Sequence, residues 1–532
     1  MSDSSIAKTQ IPSTSSDIEA QVKATPDVFD IEHMPVADDP RQWSSLRKNF
    51  TLALVAAAAM VAALASNIQN PAAPEIQAAL HASDTEYSLS ISLFALLQGV
   101  IPILWSTISE VRGRKVVYII SLTLFTAGSI AVALSRSISL LVGFRCMQAI
   151  GSSAVITIGA ATLADMFEPA ERGLKMGIYY IAPQLGPAMG PVFGGILTST
   201  FNWRANFWFL AILGGFSTSL FLLTFKDTFR TERSLTYQNI IKTRLQQMTS
   251  SNTPAEKPSV SRTSTMTLKA EVIHVEIADL PQVKVSLTDA NPFKAQIQVL
   301  RNWNNITILF ASGIQYAFSF MLSYTTSRTL ADSYHYDALA TGIVLLSYGL
   351  GCILGSLTGG WWSDHELCRL RQANGGKWSP EMRLRSTILG VALLPPCILG
   401  LGWACEERAH IAVIVLLLFA CGFSCVWQYA SALAYLVDAN VGRSSSVVAS
   451  NSAFRGLAAF AATEAAVPIQ NALGNGWLDT IWAILLIFSG FLIFLTFYKG
   501  KAWREAAQAA QDKPDNSSTP SIPTSKQSEA ST

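Results

Sequence analysis

The sequence predicts an all-α polytopic membrane protein, with twelve transmembrane helices arranged in two pseudo-symmetric bundles of six. Composition supports this fold, because the 532 residues are 50% hydrophobic and only 14% charged, whereas soluble domains carry about a quarter charged residues. The apolar residues also form runs of roughly 18 or more, the length that a helix needs to cross a bilayer. A third observation is the placement of these runs, which fall in two groups on either side of a long polar segment.

These runs are numbered here as spans one to twelve. They cover about 50–69, 88–108, 115–134, 138–164, 174–199, 206–225, 305–325, 339–362, 385–405, 411–437, 446–472 and 478–498. The predicted domains are a disordered tail (1–48), a first bundle (49–225), a linker (226–303), a second bundle (304–498) and a C-terminal tail (499–532), disordered from 505. The Ser-, Thr- and Pro-rich composition of the tails predicts their disorder.

Basic residues are distributed unevenly between the two sides of this arrangement. The predicted outside loops hold only Arg136, Arg204, Arg328 and Arg408, and the short inside segments hold many more Lys and Arg. This bias predicts that both termini are cytoplasmic. The seven cysteines show neither metal-site nor disulfide spacing, so we expect no cofactor and no metal. An ATP-driven pump is disfavoured because no G-x-x-x-x-G-K-[ST] loop occurs.

Span five contains the stretch GPAMGPVFGG. Its glycines Gly186, Gly190 and Gly194 recur at every fourth position and therefore share one helix face, while Pro191 removes a backbone donor and bends the helix. A bent helix with a bare face suits a bundle whose helices pack closely and then move, as in a transporter.

Span eight repeats this spacing. Its glycines are Gly351, Gly355 and Gly359. We expect the two glycine stripes to meet at an interface between the bundles; the alternative is close packing of each stripe within its own bundle.

Ionisable side chains at membrane depth are functional hypotheses because their burial costs several kcal/mol. Arg145 lies in span four with Gln148 on the same face, and span eleven carries Arg455 and Glu464 on opposite faces. Glu464 suits a proton carrier, or alternatively a structural ion pair. The alternative for Arg145 is a side chain that extends to the outer headgroups.

Four stretches together give the chain a family resemblance, one of them span eleven with Arg455 and Glu464. The other three are sequence motifs. They are STISEVRGRK after span two, with Glu110, Gly113, Arg114 and Lys115; R-x-x-Q-x-x-G from Arg145 in span four; and g-x-x-x-G-P-x-x-G-G in span five, with Gly186, Gly190, Pro191, Gly194 and Gly195. With these motifs the chain resembles the major facilitator superfamily, and within it the fungal twelve-span drug:proton antiporters of the quinidine-resistance and dityrosine-exporter types. The resemblance is strong over 49–225 and weaker over 303–498. Ser106 replaces the family's first loop glycine, and Glu110 replaces its aspartate.

The resemblance implies roles for several of these residues. It implies that the loop charges form a conformational latch with Asp165, that Arg145 contributes to proton coupling with Glu464, and that the span-five motif belongs to exporters. It also implies that spans one, four, seven and ten line a central cavity. The candidate cavity residues are Gln69, Gln148, Gln315, Gln428, Tyr429 and Arg455.

The expected function is proton-coupled export of small amphipathic organic compounds, such as drugs or secondary metabolites, by alternating access. The alternatives are export of an organic anion such as a carboxylic acid, a facilitative importer, or a sensor that transports nothing. The expected partners are a small-molecule substrate, protons and the lipid bilayer, with no nucleic acid, and we expect a monomer. Family resemblance favours the plasma membrane over the vacuolar membrane.

Overall fold

The computed structural model describes residues 36, 38–230, 296–297, 299–376, 379–440 and 444–511. Most of the predicted tails and linker lie outside these residues, so the predicted domain boundaries stay predictions.

The chain divides into two units by contact. One unit comprises residues 1–39 and 230–285; in its described part, the Arg230 guanidinium donates a hydrogen bond to the Asp38 carbonyl oxygen at 2.6 Å. The other unit comprises residues 40–229 and 286–532 and contains all the helices described below.

The first six predicted spans are helices. They run over Ser45–Asn67 (span one), Asp84–Val100 with Pro102–Arg112 (span two), Arg114–Ala133 (span three), Ile138–Met166 (span four), Pro169–Thr200 (span five) and Trp203–Thr224 (span six). Span two is in two segments because Pro102 lacks the amide hydrogen of a continuous helix and starts the second segment. A short helix, Ala73–Leu80, follows span one.

The last six predicted spans are helical as well. They run over Trp303–Asp332 (span seven), Ala338–Ala373 (span eight), Ile388–Glu406 (span nine), Ile411–Ala439 (span ten) and Ser444–Gln511, which holds spans eleven and twelve. These two spans join at Gly474, whose φ of 83° favours a residue without a Cβ. The Glu406 carboxylate accepts the amide hydrogen of Asn475 at 2.7 Å and so fixes this joint to the end of span nine.

The helices confirm the predicted all-α membrane fold. Ten stretches in the described residues are long and apolar enough to cross a membrane, and one of them, Ser446–Ala507, contains both spans eleven and twelve. Span five, a helix of 32 residues with three internal prolines, is not among the ten and completes the set of twelve. The predicted disorder of residues 505–532 is wrong for its first part, because the last helix continues to Gln511.

The outer faces of several spans carry large exposed apolar side chains. Phe488, Phe491 and Phe494 on span twelve and Ile212 and Phe216 on span six are each at least half exposed. Such a surface belongs in the lipid bilayer rather than in water.

The two bundles meet along two pairs of helices, spans five and eight and spans two and eleven. The termini side of the molecule is defined here as the side where span one begins and span twelve ends, and the far side as the opposite one. Towards the far side, the residues of close approach are small. An added Cβ on Gly349 would overlap the backbone of Ala188, and one on Gly342 would overlap that of Pro191.

The glycine stripes do not form this interface, so that prediction is wrong. An added Cβ on Gly186 or Gly194 would overlap span one of the same bundle, at Ala63 and Ile68 respectively. Gly190 also faces span one, while Gly351, Gly355 and Gly359 face span ten within the second bundle. Each stripe lets two helices of one bundle approach closely, which is the alternative role of such spacing.

Candidate functional site

A cavity of about 810 Å³ lies between the two bundles. Spans one, four, seven and ten contribute to its wall, as expected, and spans two, five, eight and eleven contribute as well. A volume of this size suits a small organic molecule.

The cavity extends towards the termini side and is closed towards the far side. Span five runs from the termini side to the far side; it lines the cavity up to Pro187 and contacts span eight from Ala188 onwards. Span eight runs in the opposite direction; its far-side part packs against span five, and the cavity wall continues along it to Asp364. The arrangement is therefore that of a cavity accessible from one side only.

Polar contacts between the bundles reinforce the far-side closure. The Glu464 carboxylate on span eleven accepts hydrogen bonds from two hydroxyls of span two, Ser92 at 2.5 Å and Ser88 at 3.3 Å. Arg328 at the end of span seven forms an ion pair of 2.8 Å with Asp84 at the start of span two. Opening the far side requires all these contacts to break.

Arg455 occupies the wall of the cavity. Its guanidinium carbon lies 3.9 Å from the ring centre of Tyr316 and 4.5 Å from that of Tyr429. The Nη1 group also donates to the Tyr429 hydroxyl at 2.6 Å. Two cation–π contacts and one hydrogen bond thus fix the orientation of the charge.

Three of the six predicted cavity residues line the cavity. They are Gln315, Tyr429 and Arg455. The prediction is wrong for Gln69, Gln148 and Gln428, which lie in helix–helix contacts outside the cavity wall. A polar side chain within an apolar span either lines a cavity or bonds to a neighbouring helix, and sequence alone does not distinguish these two roles.

Arg145 is fully buried behind the cavity wall. It donates to the Ala65 carbonyl oxygen at 2.9 Å and to Gln148 at 2.7 Å, and its guanidinium lies 4.1 Å from the ring centre of Phe94. The alternative of a side chain reaching the headgroups is therefore wrong. Its Nε and Nη2 atoms find no partner in the part of the chain that the structure describes.

The loop charges cluster at the termini side of the first bundle. The Arg114 guanidinium pairs with Asp165 at 3.1 Å, as the resemblance implies. Asp227, after span six, accepts the amide hydrogen of Arg114 at 3.1 Å, and an added Cβ on Gly113 (φ 86°) would overlap its carboxylate. Sequence reasoning missed Asp227 because it lies 113 residues further along the chain.

The two remaining loop charges, Glu110 and Lys115, make different contacts. Glu110 acts on Arg114 electrostatically. Lys115 instead caps the Leu222 carbonyl oxygen at 3.3 Å on the exposed surface. Both bonded partners of Arg114 named above belong to the first bundle, so the cluster orders that bundle internally.

A bundle of twelve membrane helices around a cavity closed on one side defines the chain as a membrane transporter of small molecules rather than an enzyme. More particularly, the chain belongs to the Major Facilitator Superfamily, whose family model matches residues 55–463.

The chain is similar to curated fungal transporters of this family over most of its length. It is 25% identical to the MFS antiporter QDR3 of Candida albicans over 89% of this chain and 80% of that protein. It is 27% identical to citrate exporter 1 of Aspergillus niger over 87% of this chain and 88% of that protein. The crystal structure of a bacterial homologue of the human lysosomal transporter Spinster, inward-facing and unoccupied, shares the fold with a TM-score of 0.55 at 13% identity, covering 88% of this chain and 98% of that one.

Proposed function

We propose that the protein is a proton-coupled exporter that exchanges small amphipathic organic compounds for protons by alternating access. The observation that carries this proposal is the contact of Glu464 with Ser88 and Ser92, because it joins an ionisable group to the closure between the bundles. The names of two relatives, an antiporter and a citrate exporter, support exchange and export as modes of transport.

The proposed coupling follows from hydrogen-bond chemistry. An ionised Glu464 accepts hydrogen bonds from both serine hydroxyls of the other bundle, whereas a protonated carboxyl is a weaker acceptor and has a hydrogen of its own to donate. Binding a proton therefore changes the free-energy difference between the closed and open far side. A ligand shifts a conformational equilibrium only through such a difference.

Arg145 has a supporting role in this proposal. It bonds to the backbone of span one and to Gln148 inside the first bundle, and it stacks on Phe94 of span two, the span that also carries Ser88 and Ser92. It would therefore act on Glu464 through the position of span two rather than by direct contact.

The direction of transport rests on the orientation of the protein. The excess of basic residues at the termini side favours a cytoplasmic location for that side, and the cavity then takes up its substrate from the cytoplasm. We place the protein in the plasma membrane as a monomer with both termini cytoplasmic.

The test measures gradient-driven transport by purified full-length protein in proteoliposomes. Rhodamine 6G and 1-naphthoate serve as amphipathic probes of opposite charge, and an imposed pH gradient serves as the driving force. We expect the gradient to accelerate movement of at least one probe in the wild-type protein. We expect Glu464→Gln to abolish this acceleration, since the amide binds no proton. The matched control is Glu407→Gln, an exposed residue at the end of span nine.

The outcomes separate the parts of the proposal. A Glu464→Gln protein with a normal response to the gradient removes Glu464 from the coupling. A wild-type protein that moves at least one probe, but neither of them at a rate that depends on the gradient, is a facilitator and not an antiporter. Movement of neither probe contradicts the proposed substrate range.

A further inference from the structure

Arg455 differs from Arg114 and Arg383, two other well-connected arginines among the described residues, each of which pairs with a carboxylate. Asp364, the one other charged residue in the described cavity wall, pairs with Arg383 at 2.8 Å. Arg383 has a second carboxylate partner in Asp438 at 2.5 Å, and Arg114 pairs with Asp165 at 3.1 Å. For Arg455, the described residues provide no carboxylate within 4.0 Å.

The guanidinium of Arg455 has unused hydrogen-bonding capacity. It carries five N–H donors, of which one is bonded, to Tyr429. Its Nε atom is buried and has no partner among the described residues. The two tyrosine rings contact the guanidinium through their faces and accept no conventional hydrogen bond there.

A cation without a carboxylate partner is costly at this depth. Tyrosine faces compensate for part of the lost hydration, whereas a carboxylate compensates for more through charge and paired hydrogen bonds. Arginine is also the side chain whose planar fork fits a carboxylate in two-point contact. The missing partner of Arg455 therefore has the chemistry of a carboxylate.

The rest of the cavity wall determines what is attached to that carboxylate. Besides Arg455, its two tyrosines and several Ser, Asn and Gln side chains, the cavity wall carries apolar and aromatic groups. These include Tyr180, Ile181, Phe320 and Val426. They suit an apolar body, and a single unpaired cation suits a single negative charge.

We propose that Arg455 is the substrate anchor of this transporter and that the substrate is an amphipathic organic anion, held by its carboxylate at Arg455 with its apolar body against the aromatic wall. This inference rests on the proposed function and narrows its substrate class. Arg145 takes no part in anchoring, because it is fully buried outside the cavity wall. A neutral analogue of the same shape binds less tightly, because it leaves Arg455 without its partner.

The test compares carboxylates with their amides. Binding of benzoate, 1-naphthoate and octanoate, each beside its primary amide, is measured by calorimetry on purified full-length protein in detergent. We expect at least one carboxylate to bind at least about tenfold more tightly than its amide, equivalent to about 1.4 kcal/mol.

Substitutions then assign the preference to Arg455. Arg455→Gln should reduce the affinity for the carboxylate about tenfold or more and leave the affinity for the amide unchanged. Arg455→Lys keeps the positive charge but lacks the planar guanidinium. Its affinity for the carboxylate should therefore lie between those of the wild-type protein and Arg455→Gln. Arg371→Gln, an exposed arginine at the end of span eight, is the matched control. An unfolding temperature in detergent equal to that of the wild-type protein shows that each Arg455 variant is folded.

Three results would overturn the inference. They are equal affinity of the wild-type protein for carboxylate and amide in all three pairs, absence of binding by all three carboxylates, and an unchanged carboxylate preference in a folded Arg455→Gln protein. If rhodamine 6G transport is gradient-driven in any of these cases, the proposed function stands and the anion inference alone fails. If carboxylates bind through Arg455 but neither transport probe moves, the proposed function fails and the anion site stands.

Discussion

Asp84 and Arg328 form an ion pair of 2.8 Å across the two bundles, although 244 residues separate them in the chain. Arg328 has a second carboxylate neighbour, Asp332, at 3.4 Å, one turn further along its own helix. The first contact joins the bundles at the far side, whereas the second lies within one helix. Comparing them isolates the contribution of the inter-bundle pair to closure.

Asp84→Asn should shift the protein towards a state open on the far side. The pair is partly exposed, so we expect a loss of about 0.5–1 kcal/mol, a two- to fivefold change in population. The measurement is the pulsed EPR distance between spin labels at positions 81 and 335 in a cysteine-free background. Both positions are exposed at the far side, one in each bundle.

Asp332→Asn is the control for this experiment, because it removes the same charge next to the same arginine without touching the bundle contact. Equal distance distributions for the two variants would show that the pair with Asp84 contributes nothing to closure.

Gly349→Ala tests the backbone contact between spans five and eight. The new methyl group overlaps the main chain of Ala188, so the helices must separate. Such overpacking costs about 1–3 kcal/mol. We expect the population closed on the far side to decrease and the rate of 1-naphthoate transport to fall. The same spin-label distance and the transport rate measure these effects.

The matched variant is Gly360→Ala on the same helix, where an added Cβ meets no atom within 4 Å. Its spin-label distances should equal those of the wild-type protein. A Gly349→Ala protein that behaves like Gly360→Ala would show that this contact plays no part in closure.

Asp165→Asn tests the charge cluster at the termini side. Arg114 is 7% exposed, and the substitution removes the carboxylate that pairs with this nearly buried charge. We expect the free energy of unfolding to fall by about 2 kcal/mol, less than for a fully buried pair because the Asp165 side chain is 22% exposed. Thermal unfolding in detergent measures the loss.

Glu168→Gln, an exposed residue just after span four, should leave the unfolding temperature unchanged. The double variant Arg114→Gln with Asp165→Asn should recover part of the loss, since it removes the unpaired charge as well. Additive losses in the double variant would contradict coupling between the two residues.

The number and type of membrane helices are predictable from this sequence because a bilayer leaves few ways to satisfy the backbone. The neighbour of a given helix face is harder to predict. Glycines at every fourth position place Gly186, Gly190 and Gly194 on one face, but periodicity does not reveal that span one, and not span eight, covers it. The two bundles instead meet at Ala188 and Gly349. Neither residue belongs to a glycine repeat that would have marked it in the sequence.

The candidate site was likewise predictable only in part: its ionisable residues could be recognised from the sequence, but their contacts could not. The ionisable residues were recognisable because each is rare at membrane depth. Their partners were not, because Glu464 reaches serines 372 and 376 residues away. The cage around Arg455 combines tyrosines of two other spans. Arg145 and Arg455 look alike in sequence, yet one is enclosed by its own bundle and the other faces the cavity.

The far-side seal between Gly349 and Ala188 has a consequence for how fast the far side opens. A gate made of flexible side chains opens whenever a rotamer changes, within nanoseconds, whereas main chain packed on main chain separates only when whole helices move, in microseconds to milliseconds. The far side therefore opens no faster than whole helices can move, so this contact sets an upper limit on how often the cavity can change the side to which it opens.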